Sequence, residues 1–340
     1  MFMWIEILKL LFVCHPAILP YYVAFTSGLP VSSDQLLFPR NATVLEKVDR
    51  TGNAVWLEHR WLQDGVQDQE IVDLANALKQ NGIRYVFPHL APATASGGLP
   101  EFSATAARRF VKILRREAPE VRILPWVGGV QKGYRQSHVG TVDLDSEQYL
   151  NRFTDSCTNL AQAFHLDGIH LNVEPVVSGD PRFVSWLHAM KQKLGDGILS
   201  VAAVKPVFFE GLNLSPLHAW DISYLEAVGR ECDQLAIMNY DTGIPSPLVY
   251  GLYTRTKTIS LLERFEEDGL TCKVLLGIPT YDDTRMHQSA AENIPAAVNG
   301  LLSALSAGHT KNFEGAAIYA FWTTDAAEWD DFSKTWLRQR

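Results

Sequence analysis

From about residue 53 onward, short apolar runs alternate with stretches whose apolar residues recur at helical spacing. The runs cover 54–57, 83–87, 121–127, 168–173, 198–204, 235–238, 273–278 and 315–321, which makes eight. Between them, Ile71, Leu74, Ala75 and Leu78 keep the i, i+3, i+4, i+7 rhythm, and Asn81-Gly82 closes that helix. Ser103 is placed to cap the stretch that carries Phe110, Val111 and Leu114, which Pro119 ends. Asp145 with Gln148 reads as a capping box that opens a helix over 149–164. Further helices are expected over 184–194, 222–230, 260–267, 296–305 and 327–337.

Continuous apolar strands separated by helices imply a parallel sheet covered on its outer face. Eight such units predict an α/β fold of the closed (β/α)8 TIM-barrel type, a single domain spanning 53–340 behind a connecting segment at 31–52. The alternative is an open doubly wound sheet. Against it, no G-x-G-x-x-G follows the first run, and Gly97-Gly98 falls in a loop well past the second. Loop lengths also favour the barrel. Joins into strands are short, as at 81–82, 118–120 and 195–197, whereas the loops over 88–102, 128–145, 207–221 and 242–253 leave strand ends and are long. Long loops gathered at the carboxyl ends of barrel strands are where such folds keep their chemistry.

The fourth run is the most informative, reading Asp167-Gly168-Ile169-His170-Leu171-Asn172-Val173-Glu174-Pro175. With a period of two, Ile169, Leu171 and Val173 share one face and His170, Asn172 and Glu174 the other. The apolar set belongs against the helices, which turns the polar set into the barrel. Polar groups there are costly unless paired. A row that ends in Glu at the open rim places a carboxyl group where desolvation raises its pKa, as a general acid requires.

The pattern Asp-x-x-His-x-Asn-x-Glu resembles the strand-four signature of family 18 glycoside hydrolases, the chitinase and endo-N-acetylglucosaminidase group. There the first three positions are Asp. Residues 124–129, LPWVGG, are similar to that family's strand-three glycine motif, and 234–241, QLAIMNYD, to its strand-six Met-x-Tyr-Asp motif. KVLLGIPTY at 273–281 resembles its strand seven, and 315–322 its last strand, which ends in Trp. The resemblance implies a substrate-assisted, retaining hydrolysis of glycans bearing N-acetylhexosamine, in which the 2-acetamido oxygen attacks the anomeric carbon. It assigns Glu174 as acid and then base, with Asn172 accepting the acetamido N–H and Tyr240 holding the acetamido carbonyl. It also implies that Asp241, His170, Met238, Trp126 and Tyr281 contact the sugar, with Trp322 as the subsite floor. Asn172 stands where the family has Asp and brings no negative charge; family 85 endo-N-acetylglucosaminidases have a similar Asn-x-Glu. No cofactor is implied, and the partner is an oligosaccharide or polysaccharide.

Two other readings stay open on the residues. One is a two-carboxylate retaining glycosidase that pairs Glu174 with Asp282, which requires the two about 5–5.5 Å apart. The other is a chitinase-like lectin that binds glycans with little or no turnover. A metal site from His59, His89 and His170 has no ligand spacing behind it, so no metal is expected.

Composition narrows the partners. Lys and Arg sum to 30 against 38 Asp and Glu, a net charge of -8 in 340 residues, so nucleic acid is not an expected partner. Arg108-Arg109 and Arg115-Arg116 are best read as a solvated helix face. A 47% hydrophobic share excludes a disordered chain, and 4 Cys exclude a disulfide-framed miniprotein. Cys232 and Cys272 each precede an apolar run, so they could meet as neighbours, with buried free thiols the expectation. Residues 1–30 are apolar except for Glu6, Lys9 and His15, and are broken by Pro16 and Pro20. They admit an export signal, a membrane anchor or a plain extension, and secretion or membrane tethering through 1–30 is slightly favoured. Asn41-Ala42-Thr43 fits the glycosylation triplet.

Overall fold

The computed structural model describes residues 37–134, 141–209, 211–213 and 215–337. Residues 1–36 lie outside that set, and with them the signal-or-tether reading; among the described residues no helix is long and apolar enough to cross a membrane. The strands in chain order are β1 (Asn53–Leu57), β2 (Ile83–Pro88), β3 (Arg122–Ile123), β4 (Trp126–Gln131), β5 (Thr141–Val142), β6 (Gly168–Glu174), β7 (Ile198–Val204), β8 (Gln234–Met238), β9 (Lys273–Pro279) and β10 (Phe313–Tyr319). The helices are α1 (Ala42–Leu45), α2 (Asp68–Gln80), α3 (Ala104–Glu117), α4 (Glu147–Phe164), α5 (Pro181–Leu194), α6 (Ile222–Gly229), α7 (Pro247–Glu267), α8 (Ile294–Leu305) and α9 (Ala326–Phe332).

All pairings are parallel, in the order β3-β2-β1-β10-β9-β8-β7-β6-β4-β5. The first and last runs of the barrel meet through Ala54↔Ala317. The ring closes at the third run, which Pro125 splits into β3 and β4 because proline has no N–H to offer the ladder. On either side of the split the bonds continue. Leu124 N donates to Val86 O at 3.0 Å and Leu90 N to Trp126 O at 2.8 Å, while His170 N donates to Pro125 O at 3.0 Å. Eight expected strands are thus eight barrel staves, one broken, with β5 added as a short rung on β4.

The two faces of the staves bury different things. Ile169, Leu171 and Val173 join the large core between strands and helices, whereas Ala54, Trp56, Phe87, Leu124, Ala236, Leu275 and Ala317 fill the barrel interior. Small residues on several staves leave room for the aromatic ones, the layered filling expected of this fold. Gly128 (φ +138) lets β4 approach β6: a Cβ there would lie 1.7 Å from the Asn172 carbonyl oxygen.

Helix signals held with two shifts. Ser103 caps α3 as expected, accepting from Ala106 N at 3.1 Å. The cap of α4 is Ser146 rather than Asp145, whose carboxylate instead bonds Arg182 at 2.5 Å. The loop expected over 242–253 is largely helix, since α7 begins at Pro247 behind the Ser246 cap. Its Tyr250 and Tyr253 are therefore buried, donating at 2.6 Å to Asn239 O and Pro206 O. In the connecting segment Phe38 packs on Gly251 of α7, and Asn41 caps α1.

Candidate active site

The mouth of the barrel is built from the carboxyl ends of β4, β6, β7, β8, β9 and β10. On β6 the polar row faces inward, as its parity requires. Its lowest member is closed off. His170 has no exposed surface and stacks on Phe87 with ring centroids 3.8 Å apart. Trp56 Nε1, which can only donate, gives its hydrogen to His170 Nε2 at 3.1 Å. The proton must then sit on Nδ1, 2.9 Å from Ser200 Oγ, and the serine passes its own to Gln234 Oε1 at 2.8 Å. Every group in this neutral chain has a partner, and burial pushes the imidazole pKa down to about 3. With no exposed surface and both ring nitrogens engaged, His170, expected to contact the sugar, instead links β1, β6, β7 and β8 through this chain. Asp167, at the strand's base, is likewise structural, accepting from Ile123 N and Arg122 at 2.8 Å.

The upper members differ. Asn172 donates to the Glu174 carboxylate, while its own Oδ1 is buried without any partner among the described residues. An amide turned the other way would set oxygen against carboxylate, so the orientation follows from charge. Glu174 ends β6, opposite Val130 of β4. Its pKa is raised, chiefly by the protein packed around it; the Asn172 bond and the Lys205 ammonium pull it down, and the Asp241 charge pushes it up. Glu174 is open to the cleft, so water offsets part of this desolvation until a ligand displaces it.

Across the mouth stands an aromatic wall. Tyr240 is buried, with its ring 5.4 Å from Tyr319 in a stacked arrangement and 6.0 Å from Tyr281 edge-on. Gly277 makes space for it: a Cβ there would come 3.1 Å from the Tyr240 ring. Tyr281 donates its hydroxyl to Asp241 Oδ1 at 2.9 Å. Asp241 itself has φ +55, a left-handed conformation uncommon for a residue with a Cβ. Burial raises the pKa of Tyr240, Tyr281 and Tyr319, so all three remain hydroxyl donors at neutral pH.

Near Trp322, the expected floor, the Tyr319 ring turns into the barrel, 5.4 Å from Trp56, 5.8 Å from Tyr281 and 5.9 Å from Trp322 itself. Trp322 sits past the end of β10, where Thr323 and Thr324 bond back to Ala320, and is 44% exposed on the rim. Trp126 is half-buried between His89 (4.3 Å) and Tyr319 (6.3 Å), and Met238 is half-buried at the end of β8. Sequence reasoning passed over Tyr319 and also Lys205, a half-buried lysine just beyond β7. Burial lowers the Lys205 pKa, and Asp241, Glu292 and Glu174 each counter it, which puts this cation among the carboxylates of the mouth.

The family model of glycosyl hydrolases family 18 matches residues 66–335. The chain belongs to that family. Among solved structures, a chitinase from Chromobacterium violaceum is 17% identical with TM-score 0.58, covering 85% of this chain and 99% of that one. The Bacillus cereus spore cortex-lytic enzyme SleL is 14% identical with TM-score 0.55, covering 84% and 74%. A chitinase from Rhizomucor miehei is 15% identical with TM-score 0.53, covering 84% and 99%. At these identities the likeness is one of fold. No curated protein matches the chain.

Within this family 18 barrel the remaining candidates separate. Asp282, the second carboxylate of the two-carboxylate reading, is exposed and is not among the charges acting on Glu174; it acts on Glu328 at the start of α9. His59 and His89 are neighbours at 6.1 Å, but His170 is sealed below them with both nitrogens engaged. Among the described residues no cluster could hold a metal ion. Cys232 and Cys272 do meet, with sulfurs 3.8 Å apart as buried free thiols at the closed end of β8 and β9.

Proposed function

We propose that the protein hydrolyses glycans containing N-acetylhexosamine by a substrate-assisted, retaining route. One observation carries this reading: beside a carboxyl group of raised pKa, Asn172 offers a buried oxygen with no partner. Leaving such an acceptor unpaired costs about 1–3 kcal/mol, and an acetamido N–H is the donor that relieves it. With that bond made, Glu174 protonates the leaving glycosidic oxygen, and the acetamido oxygen attacks the anomeric carbon from the opposite side. The Tyr240 hydroxyl donates to the acetamido carbonyl and fixes it for attack, which is a positional effect. The resulting oxazolinium has no carboxylate at position 172 to balance it, so Asp241 and the ionised Glu174 supply the negative charge of the pocket. Glu174, now a base, takes a proton from water as it opens the ring. Tyr319 lies under the sugar face, with Trp126 beside it and Trp322 at the rim.

The test is a pair of chitooligosaccharides, N-acetylated and de-N-acetylated, with the anomer of the product determined by NMR. Hydrolysis confined to the acetylated chain with retained configuration is expected. Inversion, or equal rates on both, refutes the mechanism, and tight binding of the acetylated chain without cleavage leaves a lectin.

A further inference from the structure

Behind Asp241 and Tyr281 lies a second layer that neither the sequence pattern nor the proposed chemistry uses. His287 and Glu292 are wholly buried, in the segment between β9 and α8. Glu292 Oε1 accepts from the Thr242 backbone N–H at 2.8 Å and from its hydroxyl at 2.5 Å. Its Oε2 is 3.1 Å from His287 Nδ1, and His287 Nε2 donates to the Tyr281 carbonyl at 3.1 Å. The imidazole also lies against the Tyr281 ring at 4.2 Å. Adding the Tyr281 hydroxyl on Asp241 and the peptide bond from Asp241 to Thr242, the bonds form a closed circuit. It joins the end of β8 to the end of β9.

From this geometry we infer that His287 and Glu292 are positioning residues for the reaction, fixing Asp241 and Tyr281 against Glu174 and the sugar. The inference rests on the function proposed above. Three facts single the pair out. Asp241 holds a left-handed backbone conformation, which for a residue with a Cβ costs on the order of 1 kcal/mol or more and persists only if its surroundings impose it. The restraint acts on the adjacent Thr242 through two bonds to one buried carboxylate. The other end of the same carboxylate restrains the backbone of Tyr281 through His287. One shared proton between Nδ1 and Oε2 suffices for the His287–Glu292 contact, and the pair is neutral overall whichever atom carries it. Burial without unpaired charge is thereby achieved.

The circuit makes a sharp demand on substitutions. Glu292→Gln preserves every bond, because its amide oxygen accepts from Thr242 and its N–H donates to the Nδ1 of a histidine protonated on Nε2. Glu292→Ala and His287→Ala open the circuit. On an N-acetylglucosaminyl substrate cleaved by the wild-type full chain, the two alanine variants should lose on the order of 10²-fold in kcat, with KM changed far less, since a misplacement of about 1 Å has that effect. Glu292→Gln should return kcat to within about three-fold of wild type. If the alanine variants fail to fold, Thr242→Val removes the hydroxyl that donates to Glu292 and accepts from the Ile244 N–H at 3.2 Å, keeps the backbone bond to Glu292, and should lower kcat by about ten-fold. Folded alanine variants (or, in their absence, Thr242→Val) with wild-type constants, or a Glu292→Gln enzyme as impaired as Glu292→Ala, overturn the inference. If the wild type cleaves no such substrate, the functional reading has failed instead. Crystal structures then decide the positioning separately: the Asp241–Tyr281 bond should survive in Glu292→Gln and be lost in Glu292→Ala, and its survival in the latter overturns the inference too.

Discussion

His170 and Glu174 stand on the same face of β6 with only Asn172 between them, and they meet opposite conditions. The lower residue is enclosed in a chain from Trp56 to Gln234 in which each donor finds an acceptor. The upper end of the row leaves Asn172 Oδ1 without a partner among the described residues and sets Glu174 at an open cleft. Both ends are polar and both face the barrel, so polarity and direction do not tell structure from chemistry. What separates them is whether the hydrogen bonds close. A closed set spends its polar groups on joining strands; an open one keeps a donor or acceptor free for a ligand.

The sharpest way to break this contrast is at its open end. Glu174→Gln keeps the shape and removes the proposed acid, so kcat should fall by about 10²–10⁴-fold, the usual worth of general acid–base catalysis. The thermal midpoint should hardly move, because no stave depends on this side chain. Unchanged hydrolysis would show that another group donates the proton.

At the closed end the effects exchange places. His170→Leu leaves the Trp56 N–H without its acceptor and Ser200 Oγ without its donor inside the barrel, and should cost about 2–4 kcal/mol of stability by urea unfolding. Turnover per folded molecule should change much less than in Glu174→Gln. The pH dependence carries its own signature. The folded protein holds the His170 pKa near about 3 against 6.5 ordinarily, so the unfolded chain takes up a proton that the native one refuses. The stability contributed by neutral His170 is complete above pH 6.5 and drains away as pH falls toward 3. The variant has no such loss, and its deficit relative to wild type should narrow across that window. A deficit that widens would mean that His170 is charged in the folded protein.

These differences also mark what could be read from residues alone. Strand parity turned His170, Asn172 and Glu174 inward correctly, since one face of a barrel stave must meet the helices. Periodicity carries no information on partners, so His170 looked as available to a sugar as Glu174. The start of α7 was hidden by Gly251, a poor helix former tolerated because Phe38 and the Ala296 carbonyl press against that spot. Tyr319 was overshadowed by Trp322, because residue type suggested a floor and only the turn at Ala320 shows which ring lies inward. Lys205, His287 and Glu292 sit in loops, where no period relates a residue to the site it will face. Their roles arise from tertiary approach across three strand ends.

The smallest expected effect tests whether the open end is tuned by charge. Glu174 sits above the 4.5 usual for a glutamate, with Asp241 pushing it up and Lys205 pulling it down. As a general acid it works while protonated, so its pKa in the free enzyme sets the alkaline limb of kcat/KM against pH. Lys205→Met removes the downward pull and should carry that limb to higher pH. Asp241→Asn removes the upward push and should carry it lower, whatever it does to the height of the profile. Both displacements should be small beside the effect of Glu174→Gln, since the two groups act across a cleft that water enters. Limbs that move together, or that stay fixed in both variants, would show that the pKa of Glu174 is set by burial and Asn172 alone, with the facing wall acting only through shape.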